Sequence, residues 1–202
     1  MIEWSIDAFR ASDSVRSIIV AAPPGHVGDL GDLDLTIVPG GATRAESVAN
    51  ALGAVETEYV AIHDAARPLL TPELVEALVA GLDASPEAAG VIAAAPVTDT
   101  VKRAPSRGSF VRDSRTKEPQ VLETLDRGEL WGAQTPQVFR AEVLRAALAA
   151  AARPEEATDE AMLVEWDGGT VLIHPVELEN LKVTTPLDLR VAELVLQSRS
   201  ST

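Results

Sequence analysis

The amino-acid sequence predicts an α/β fold in which a mainly parallel sheet is covered by helices on both faces. Short apolar runs alternate with amphipathic segments along most of the chain, and this alternation is typical of strand–helix–strand units with right-handed crossovers. The chain has 202 residues, which suits a single domain, and 46% of them are hydrophobic, which is enough for a buried core. We therefore expect one domain that spans residues 1–202.

The first half of the chain contains three predicted strands and three predicted helices. These are a helix at 2–10, strands at 17–22 and 35–38, a helix at 43–54, a strand at 59–62 and a helix from 72 to about 82. Ile2, Ile6 and Phe9 have the spacing of one helix face, and the apolar runs that end at Pro or Gly indicate buried strands. Thr71 and Pro72 form a typical helix start, because Thr caps free N–H groups and Pro has none.

The second half continues the alternation after a break. We expect a strand at 90–95, a helix at 138–152, a helix from 158 to about 168, a strand at 171–174 and a helix at 186–197. The segment 130–137 is interpreted as a rigid loop that Trp131 packs.

The segment 101–127 interrupts the pattern and predicts a protruding β-arm or a long hairpin. It contains three turn-forming residues and two patches that favour strands, at 109–111 and 120–122. Seven of the 17 Lys and Arg residues lie here, but four acidic residues lie among them. Charge alone therefore fits a solvated loop as well as a functional arm.

Composition excludes several classes of partner and chemistry. A net charge of −14 repels nucleic acid and anionic lipid, so we expect neither as a partner. Without cysteine there is no disulfide or thiolate chemistry, and the chain is compatible with a reducing cytoplasm, which is the expected location. No apolar run approaches the roughly 20 residues that span a bilayer, and the first residues do not resemble a secretion signal.

Polar or glycine-rich segments follow three of the predicted strands. They are Gly40-Gly41, the run from His63 to Pro68, and 98–100. Ligands of open parallel sheets bind beyond the carboxyl ends of strands, so these segments are the candidate site. Paired glycines let a backbone approach a base or a phosphate closely, but taken alone the pair is more often a plain turn.

Asp64 and Arg67 are the strongest candidates taken singly. A carboxylate can bind Mg²⁺ or a ribose hydroxyl, and a guanidinium can hold a phosphate with two hydrogen bonds. A structural ion pair that closes a turn is equally consistent with the spacing, although the small Ala65 and Ala66 leave room for a ligand. His63 is interpreted as a structural histidine.

Three further polar residues, Arg127, Thr135 and Lys182, lie among apolar neighbours. A structural role is favoured for each of them alone; Lys182, for example, would reach solvent from a strand edge. Their order in the chain, however, is informative.

Six segments together resemble one family. They are GGATRAESV, VAIHDAARP, APVTDTVKR, LDRGELWGAQTPQVF, TDEA and NLKVTTPLDL, which begin at residues 40, 60, 95, 125, 158 and 180. In this order and spacing they resemble the 2-C-methyl-D-erythritol 4-phosphate cytidylyltransferases, over about residues 2–195. The resemblance implies a Rossmann-like homodimeric enzyme that uses Mg²⁺ to join CTP to a polyol phosphate in non-mevalonate isoprenoid synthesis, releasing pyrophosphate.

The resemblance also implies roles for individual residues. Lys182, Arg127 and Asp64 are the expected catalytic residues, with Lys182 at the reacting α-phosphate and Asp64 at the Mg²⁺. Cytosine would lie against Gly40, Gly41 and Ser47, the ribose against Asp64 and Ala65, and the polyol phosphate against Arg67, Thr135 and Arg127. The arm, 101–127, would clasp a second subunit, with Thr100 serving the neighbour's site.

One part of the family pattern has no counterpart in the sequence. The family begins with a central strand and a glycine-rich loop that binds the triphosphate, whereas this sequence begins at the first helix. Without that strand, the sheet would have two unpaired inner edges, or these edges would pair with each other. We therefore expect that the natural protein is longer than this sequence. There are two alternatives to this activity. The chain could be a non-catalytic relative that binds CTP or forms dimers, or an enzyme for another polyol phosphate such as ribitol 5-phosphate.

Overall fold

The computed structural model describes residues 1–23, 25–26, 35–105, 119–177 and 180–200. Its helices are α1 (Ile2–Arg10), α2 (Arg44–Leu52), α3 (Pro72–Asp83), α4 (Ala141–Ala150), α5 (Glu160–Trp166) and α6 (Pro186–Ser200). Its strands are β1 (Ile19–Ala22), β2 (Thr36–Pro39), β3 (Tyr59–Ile62), β4 (Gly90–Pro96), β5 (Lys102–Arg103), β6 (Glu123–Thr124), β7 (Trp131–Arg140) and β8 (Val171–Pro175). Short 3-10 turns lie at Arg127–Glu129 and Pro154–Glu156.

The main sheet has four strands in the order β3-β7-β4-β8. Strand β7 is antiparallel to both β3 and β4, so β3 and β4 run in the same direction, and β8 is parallel to β4. Strands β1 and β2 form a separate parallel pair. The predicted α/β class with a mainly parallel sheet is therefore confirmed, with β7 as the antiparallel strand of the main sheet.

Helices cover both faces of the main sheet, as the sequence predicts. Side chains alternate along a strand, so the neighbours Val138 and Phe139 of β7 point to opposite faces. Phe139 packs with residues of α2, α4 and α5, whereas Val138 packs with Leu78 and Leu82 of α3. All four of these side chains are fully buried.

The predicted boundary between loop and helix near residue 138 was wrong. Residues 131–140 form strand β7, and the helix begins only at Ala141. Val138 and Phe139 point to opposite faces of the sheet, and both are buried, so the apolar residues here are consecutive rather than alternating. A consecutive apolar run does not distinguish a strand from a helix. Trp131 is 39% exposed and does not pack the segment as predicted.

The base of the predicted arm is a short antiparallel ladder. Lys102 pairs with Thr124 and Arg103 with Glu123, so the paired residues lie just beyond the patch at 120–122 that favours a strand. Leu122 still donates its N–H to the carbonyl of Arg103, but its side chain is mostly exposed, so no buried face extends the strand. The other predicted strand, 109–111, lies outside the described residues.

The helix starts that matter for the site have side-chain caps. Thr43 accepts from the N–H of Glu46 at the start of α2, and Asp159 accepts from the N–H of Met162 at the start of α5. Thr71 caps α3 ahead of Pro72, which confirms the predicted start. Caps of this kind satisfy free N–H groups and fix where the first helical residues point.

A cavity that is lined mostly by apolar residues separates the main sheet from the β1–β2 pair. In the described part of the chain, β1 has β2 as its only strand partner and β3 has β7. Strands β1 and β3 both line a cavity of about 760 Å³, together with Ile6 and Phe9 of α1. This is the first of the two outcomes that the sequence predicted for the sheet, namely two inner edges that do not pair with each other.

Candidate active site

The carboxyl ends of the strands bring together segments that are distant in the sequence. Lys182, which follows β8, places its Nζ 2.8 Å from Oδ2 of Asp64, which follows β3. The N–H of Val183 donates to the carbonyl of Ala66 at 2.8 Å, so the two segments are also joined through their backbones. The Asp64–Lys182 contact therefore rests on fixed backbone rather than on two free side chains.

Arg44 approaches the same carboxylate from α2. Its Nε and Nη2 each lie 3.4 Å from Oδ1 of Asp64, so the carboxylate has a cation on either side. Burial alone would raise the pKa of Asp64, but the hydrogen bond from Lys182 and the charges of Arg44, Lys182 and Arg67 lower it below its ordinary value. Asp64 is therefore an anion at neutral pH, within a cluster that is positively charged overall.

Arg67 is held in place by the segment after β8. Its Nη1 donates to the carbonyl of Asn180 at 2.7 Å, and the side chain of Asn180 donates to the carbonyl of Thr135 at 2.7 Å. Burial lowers the pKa of the Arg67 guanidinium, and the charge of Asp64 opposes that effect. The Nε of Arg67 is buried and has no hydrogen-bond partner among the described residues, which leaves one donor of this cation unsatisfied.

A chain of hydrogen bonds supports the loop that carries Asp64. The N–H of Asp64 donates to Oγ1 of Thr135 at 3.0 Å, and Oγ1 lies 3.2 Å from Nδ1 of His63. The Nε2 of His63 lies 3.1 Å from the carbonyl of Arg67. Because that carbonyl can only accept, Nε2 carries the proton and Nδ1 accepts from Thr135, which defines the tautomer of a neutral imidazole.

Burial keeps His63 neutral. Desolvation lowers its pKa to about 4, while the hydrogen bonds to Arg67 and Thr135 and the charge of Asp64 offset part of that effect. The ring of Phe9 meets the imidazole edge-on at 5.6 Å between centroids. The prediction that His63 is a satisfied structural histidine is confirmed.

The glycine pair lies between the end of β2 and the first turn of α2. The N–H of Gly40 donates to the carbonyl of Ala22 at 2.8 Å, and the N–H of Gly41 donates to Oγ of Ser47 at 3.0 Å. A Cβ on Gly41 would lie 2.2 Å from Cβ of Glu46, so a side chain does not fit there. The need for glycine at this position thus comes from the tight approach of the loop to the first turn of α2.

A buried carboxylate lies on the far side of Arg44. Nη1 of Arg44 donates to Oε1 of Glu160 at 2.5 Å, and the Glu160 side chain is only 1% exposed. The four side chains Glu160, Arg44, Asp64 and Lys182 therefore form a row of alternating charge that connects α5, α2 and the ends of β3 and β8.

This arrangement is suited to binding phosphate groups. Three cations, Arg44, Arg67 and Lys182, surround one carboxylate at the edge of the sheet where ligands of such folds bind. The described residues contain no group of three or more His, Asp or Glu side chains that could hold a metal ion unaided. A site with one carboxylate suits Mg²⁺ that is shared with substrate phosphates, which is how this ion is usually bound.

The sequence profile of the IspD family, 2-C-methyl-D-erythritol 4-phosphate cytidylyltransferase, matches residues 1–198. The chain belongs to this cytidylyltransferase family.

Individual relatives agree with the family profile. The cytidylyltransferase of Burkholderia multivorans is 40% identical over 208 residues, which cover 97% of this chain and 83% of that protein. The bifunctional enzyme IspD/IspF of Anaeromyxobacter dehalogenans is 40% identical over 209 residues. That match takes in all of this chain but only 51% of the bifunctional protein, so the chain spans about half of that relative.

Solved cytidylyltransferase structures have the same fold. The crystal structure of the enzyme from Thermus thermophilus superimposes with a TM-score of 0.79 at 32% identity, covering 97% of this chain and 88% of that one. This structural neighbour supports the Rossmann-like fold that the family resemblance implies.

The structure brings together most of the residues that the sequence predicted for this cytidylyltransferase site. Asp64 and Lys182 are in contact, Arg67 and Thr135 are linked through Asn180, and Ala65 is exposed in the same loop as Asp64. The hydroxyl of Thr135 already contacts Asp64 and His63, and Thr135 is buried. Its position in this structure is therefore below the loop rather than on the open face.

Arg127 and Thr100 lie apart from this cluster. Arg127 is exposed and donates through Nη1 to the carbonyl of Thr98 at 2.5 Å, at the base of the arm. None of the contacts found among the described residues joins Arg127 or Thr100 to Asp64 or Lys182. Their predicted roles stay predictions.

Sequence reasoning missed three side chains that the structure places at the site. Arg44, Glu160 and Asn180 all lie within the segments that carry the family resemblance, but no role was predicted for them. For Arg44 the available signal is its position directly after the cap Thr43, which directs it towards the ends of the strands.

Proposed function

We propose that this chain transfers the cytidylyl group of CTP to 2-C-methyl-D-erythritol 4-phosphate and releases pyrophosphate. The observation that carries the proposal is the contact of Lys182 with Asp64, with Arg44 on the other side of the same carboxylate. The family and its relatives, whose names state this activity, support the choice of substrates.

The reaction needs charge stabilisation and no protein nucleophile. An oxygen of the substrate phosphate attacks the α-phosphorus of CTP, and the bond from that phosphorus to the bridging oxygen breaks, so pyrophosphate leaves with the electron pair. Negative charge accumulates on the α-phosphate and the leaving group, and preorganised cations stabilise it. Lys182 is 45% exposed, so its ammonium is free to turn from Asp64 to a phosphate oxygen.

Asp64 fits the role of the protein ligand to Mg²⁺. When bound, the ion would neutralise charge on the triphosphate and on the leaving pyrophosphate. Lys182 and Arg44 each contact an oxygen of this carboxylate, so both cations would lie beside the phosphates of a nucleotide bound at Asp64. As the family resemblance implies, Gly40, Gly41 and Ser47 would lie against the cytosine, and the hydrogen bond from the N–H of Gly41 to Oγ of Ser47 joins the glycine pair to α2.

The test is pyrophosphate release by the purified chain, with CTP and 2-C-methyl-D-erythritol 4-phosphate in Mg²⁺ buffer. Ribitol 5-phosphate serves as the competing acceptor, and Asp64→Asn as the inactive control. Turnover with methylerythritol phosphate alone supports the proposal, and preference for ribitol phosphate overturns the choice of acceptor. Binding of CTP without any turnover supports the non-catalytic alternative.

We further propose that the enzyme is a cytoplasmic homodimer and that residues 101–127 form the contact. Support comes from the antiparallel base of the arm, which projects Val121 and Leu122 at 53% and 63% exposure. Thr100 and Arg127 lie at that base, and Thr100 would serve the site of the neighbouring subunit. Sedimentation of the whole chain and of a variant without residues 105–119 tests the contact, and a monomeric whole chain contradicts it. Among the described helices, none has the length and apolar content to cross a bilayer.

A further inference from the structure

Glu160 is a buried carboxylate whose contact with the site, among the described residues, is made through Arg44. Its side chain is 1% exposed, and Oε1 lies 2.5 Å from Nη1 of Arg44. The other oxygen, Oε2, is buried without a hydrogen-bond partner among the described residues. Burying a carboxylate is costly unless it is paired, and among the described residues Arg44 is the cation that pairs with Glu160, so Arg44 largely determines whether the charge is tolerated.

The backbone that carries Glu160 is fixed to the centre of the sheet. Gln137, a buried residue of β7, donates through Nε2 to Oδ2 of Asp159 at 2.8 Å and accepts through Oε1 from the N–H of Ala161 at 3.3 Å. Asp159 in turn caps α5 by accepting from Met162. The first turn of α5 is thus joined on both sides of Glu160 to strand β7, which gives the carboxylate a fixed position.

Arg44 has no comparable restraint at its other end. Its side chain is 39% exposed, and its contacts with Asp64 are long, at 3.4 Å. A guanidinium is a rigid planar fork, so fixing Nη1 also fixes the direction of the Nε and Nη2 edge. Without the bond to Glu160, the long side chain would recover much of its rotamer freedom in solvent.

We propose that Glu160 is a positioning residue of the active site, which holds Arg44 so that the opposite edge of the guanidinium faces Asp64 and the nucleotide phosphates. The inference deepens the proposed function and rests on it for the identity of the ligand. The juxtaposition of Glu160, Arg44 and Asp64 is a property of the chain itself and can be tested without turnover.

Glu160 could act on Asp64 as a nearby charge or by positioning Arg44, and the two roles predict opposite changes in the pKa of Asp64 when Glu160 is neutralised. The groups that face Asp64 are Arg44, Lys182 and Arg67. If Glu160 acted only as a nearby negative charge, its neutralisation would lower the pKa of Asp64, because one like charge is removed. If it positions Arg44, its neutralisation releases that cation, and the pKa of Asp64 rises.

The deciding experiment compares the wild-type chain with Glu160→Gln, which keeps the size of the side chain. The pKa of Asp64 is measured by NMR titration of its carboxyl carbon in ¹³C-labelled protein without nucleotide. A higher pKa in the variant supports the proposal, and an unchanged or lower pKa overturns it. Urea unfolding verifies that the variant is folded at each pH used.

A double-mutant cycle tests whether the effect passes through Arg44. In the double variant Glu160→Gln/Arg44→Gln, the pKa of Asp64 should equal that of Arg44→Gln alone, whereas additive changes contradict positioning. For turnover, we expect kcat/KM for CTP to fall roughly 10-fold or more in Glu160→Gln, the size seen for other supporting residues.

The matched control is Glu58→Gln, which removes a carboxylate from the Arg140–Glu58 ion pair away from the site and should leave both readouts unchanged. If the wild-type chain shows no turnover, the proposed function fails, while the Asp64 titration still decides the role of Glu160.

Discussion

Asp64 and Lys182 are separated by 118 residues in the sequence, and their side chains are 2.8 Å apart. The contact forms because the loop after β3 and the segment after β8 end at the same edge of the sheet and share a backbone hydrogen bond from Val183 to Ala66. If Asp64 and Lys182 lay on opposite sides of the molecule, the proposed chemistry would be ruled out. The shared edge is therefore the structural basis for the predictions about catalysis.

The first prediction concerns the charge of Lys182. Lys182→Met should lower kcat of cytidylyl transfer roughly 100-fold or more, the usual cost of removing one preorganised group that stabilises transition-state charge. The free energy of unfolding should change by less than about 1 kcal/mol, because the ion pair with Asp64 is partly exposed. Steady-state kinetics and urea unfolding on the same preparations separate the two effects.

Arg153→Met is the control for this substitution, since it also removes a cation but from an exposed pair with Glu156. It should keep wild-type kcat. A Lys182→Met variant with near wild-type kcat would show that Lys182 has no part in the transition state.

The second prediction concerns the close approach at Gly41. In Gly41→Ala the new Cβ would meet Cβ of Glu46 at 2.2 Å, so the loop or the first turn of α2 must shift. We expect a loss of about 1–3 kcal/mol in unfolding free energy, together with weaker CTP binding because Ser47 and Arg44 move with that turn. Urea unfolding and calorimetric titration with CTP measure these changes.

Gly132→Ala is the matched control, because its Cβ would lie 3.7 Å from the nearest atom, the carbonyl of Ala95, at ordinary contact distance. Equal stability changes in the two variants would contradict the steric explanation.

The parts of the fold that sequence predicted well are those with a strong local signal. The strand at 59–62 was predicted with its observed bounds, Tyr59–Ile62, because an apolar run leads directly into polar residues. The start of α3 was predicted because Thr71 and Pro72 each favour one side of a helix boundary. Strand β7 was missed because its partners β3 and β4, which pair with its two edges, are distant in the sequence.

The same distinction holds for the site. Asp64 and Lys182 were predicted from the family resemblance, and the contact between them agrees with it. Glu160 was not recognised as a site residue because its only ionic partner among the described residues, Arg44, is 116 residues away. No local pattern reports a side chain that acts through a distant partner.

The third prediction concerns the neutral imidazole of His63, whose pKa burial lowers to about 4. At pH values between this pKa and the pKa of about 6.5 that histidine has in the unfolded chain, the unfolded chain binds a proton that the folded chain does not. The free energy of unfolding therefore falls as the pH decreases through this interval. The His63 contribution to the free energy of unfolding should be about 2 kcal/mol smaller at pH 5 than at pH 7.5. Urea unfolding at the two pH values measures the change.

Other groups titrate in this range, so the comparison uses His63→Gln, in which the hydrogen-bonding amide does not titrate. The wild-type chain should lose about 2 kcal/mol more than this variant between pH 7.5 and pH 5. Identical slopes for wild type and His63→Gln would contradict the buried neutral state.

The last prediction concerns the facing edges of β1 and β3. The carbonyls of Ile18 and Ala22 accept hydrogen bonds from backbone N–H groups in and next to β2. The intervening residues Ile19 and Ala21 therefore direct their own N–H groups away from β2. Just before β3, the carbonyl of Glu58 accepts a hydrogen bond from the N–H of Ala141, the first residue of α4, so Glu58 faces β7. Because backbone groups alternate in direction along a strand, the N–H of Ala61 points away from β7. Both strands line the apolar cavity, so these N–H groups lack a strand partner in the described part of the chain.

Amide hydrogen exchange tests this arrangement residue by residue. Ala21 and Ala61 should exchange roughly 100-fold or more faster than their neighbours Val20 and Val60, which face β2 and β7, because exchange of a bonded amide requires local opening. Residues Gly90, Val91 and Ile92 of strand β4 are the internal control, since β7 and β8 pair with them on both sides and their consecutive amides should all be protected. NMR exchange spectra at neutral pH give all of these rates together. If Ala21 and Ala61 are protected as strongly as Val20 and Val60, the two inner edges are paired in solution and the sheet is continuous.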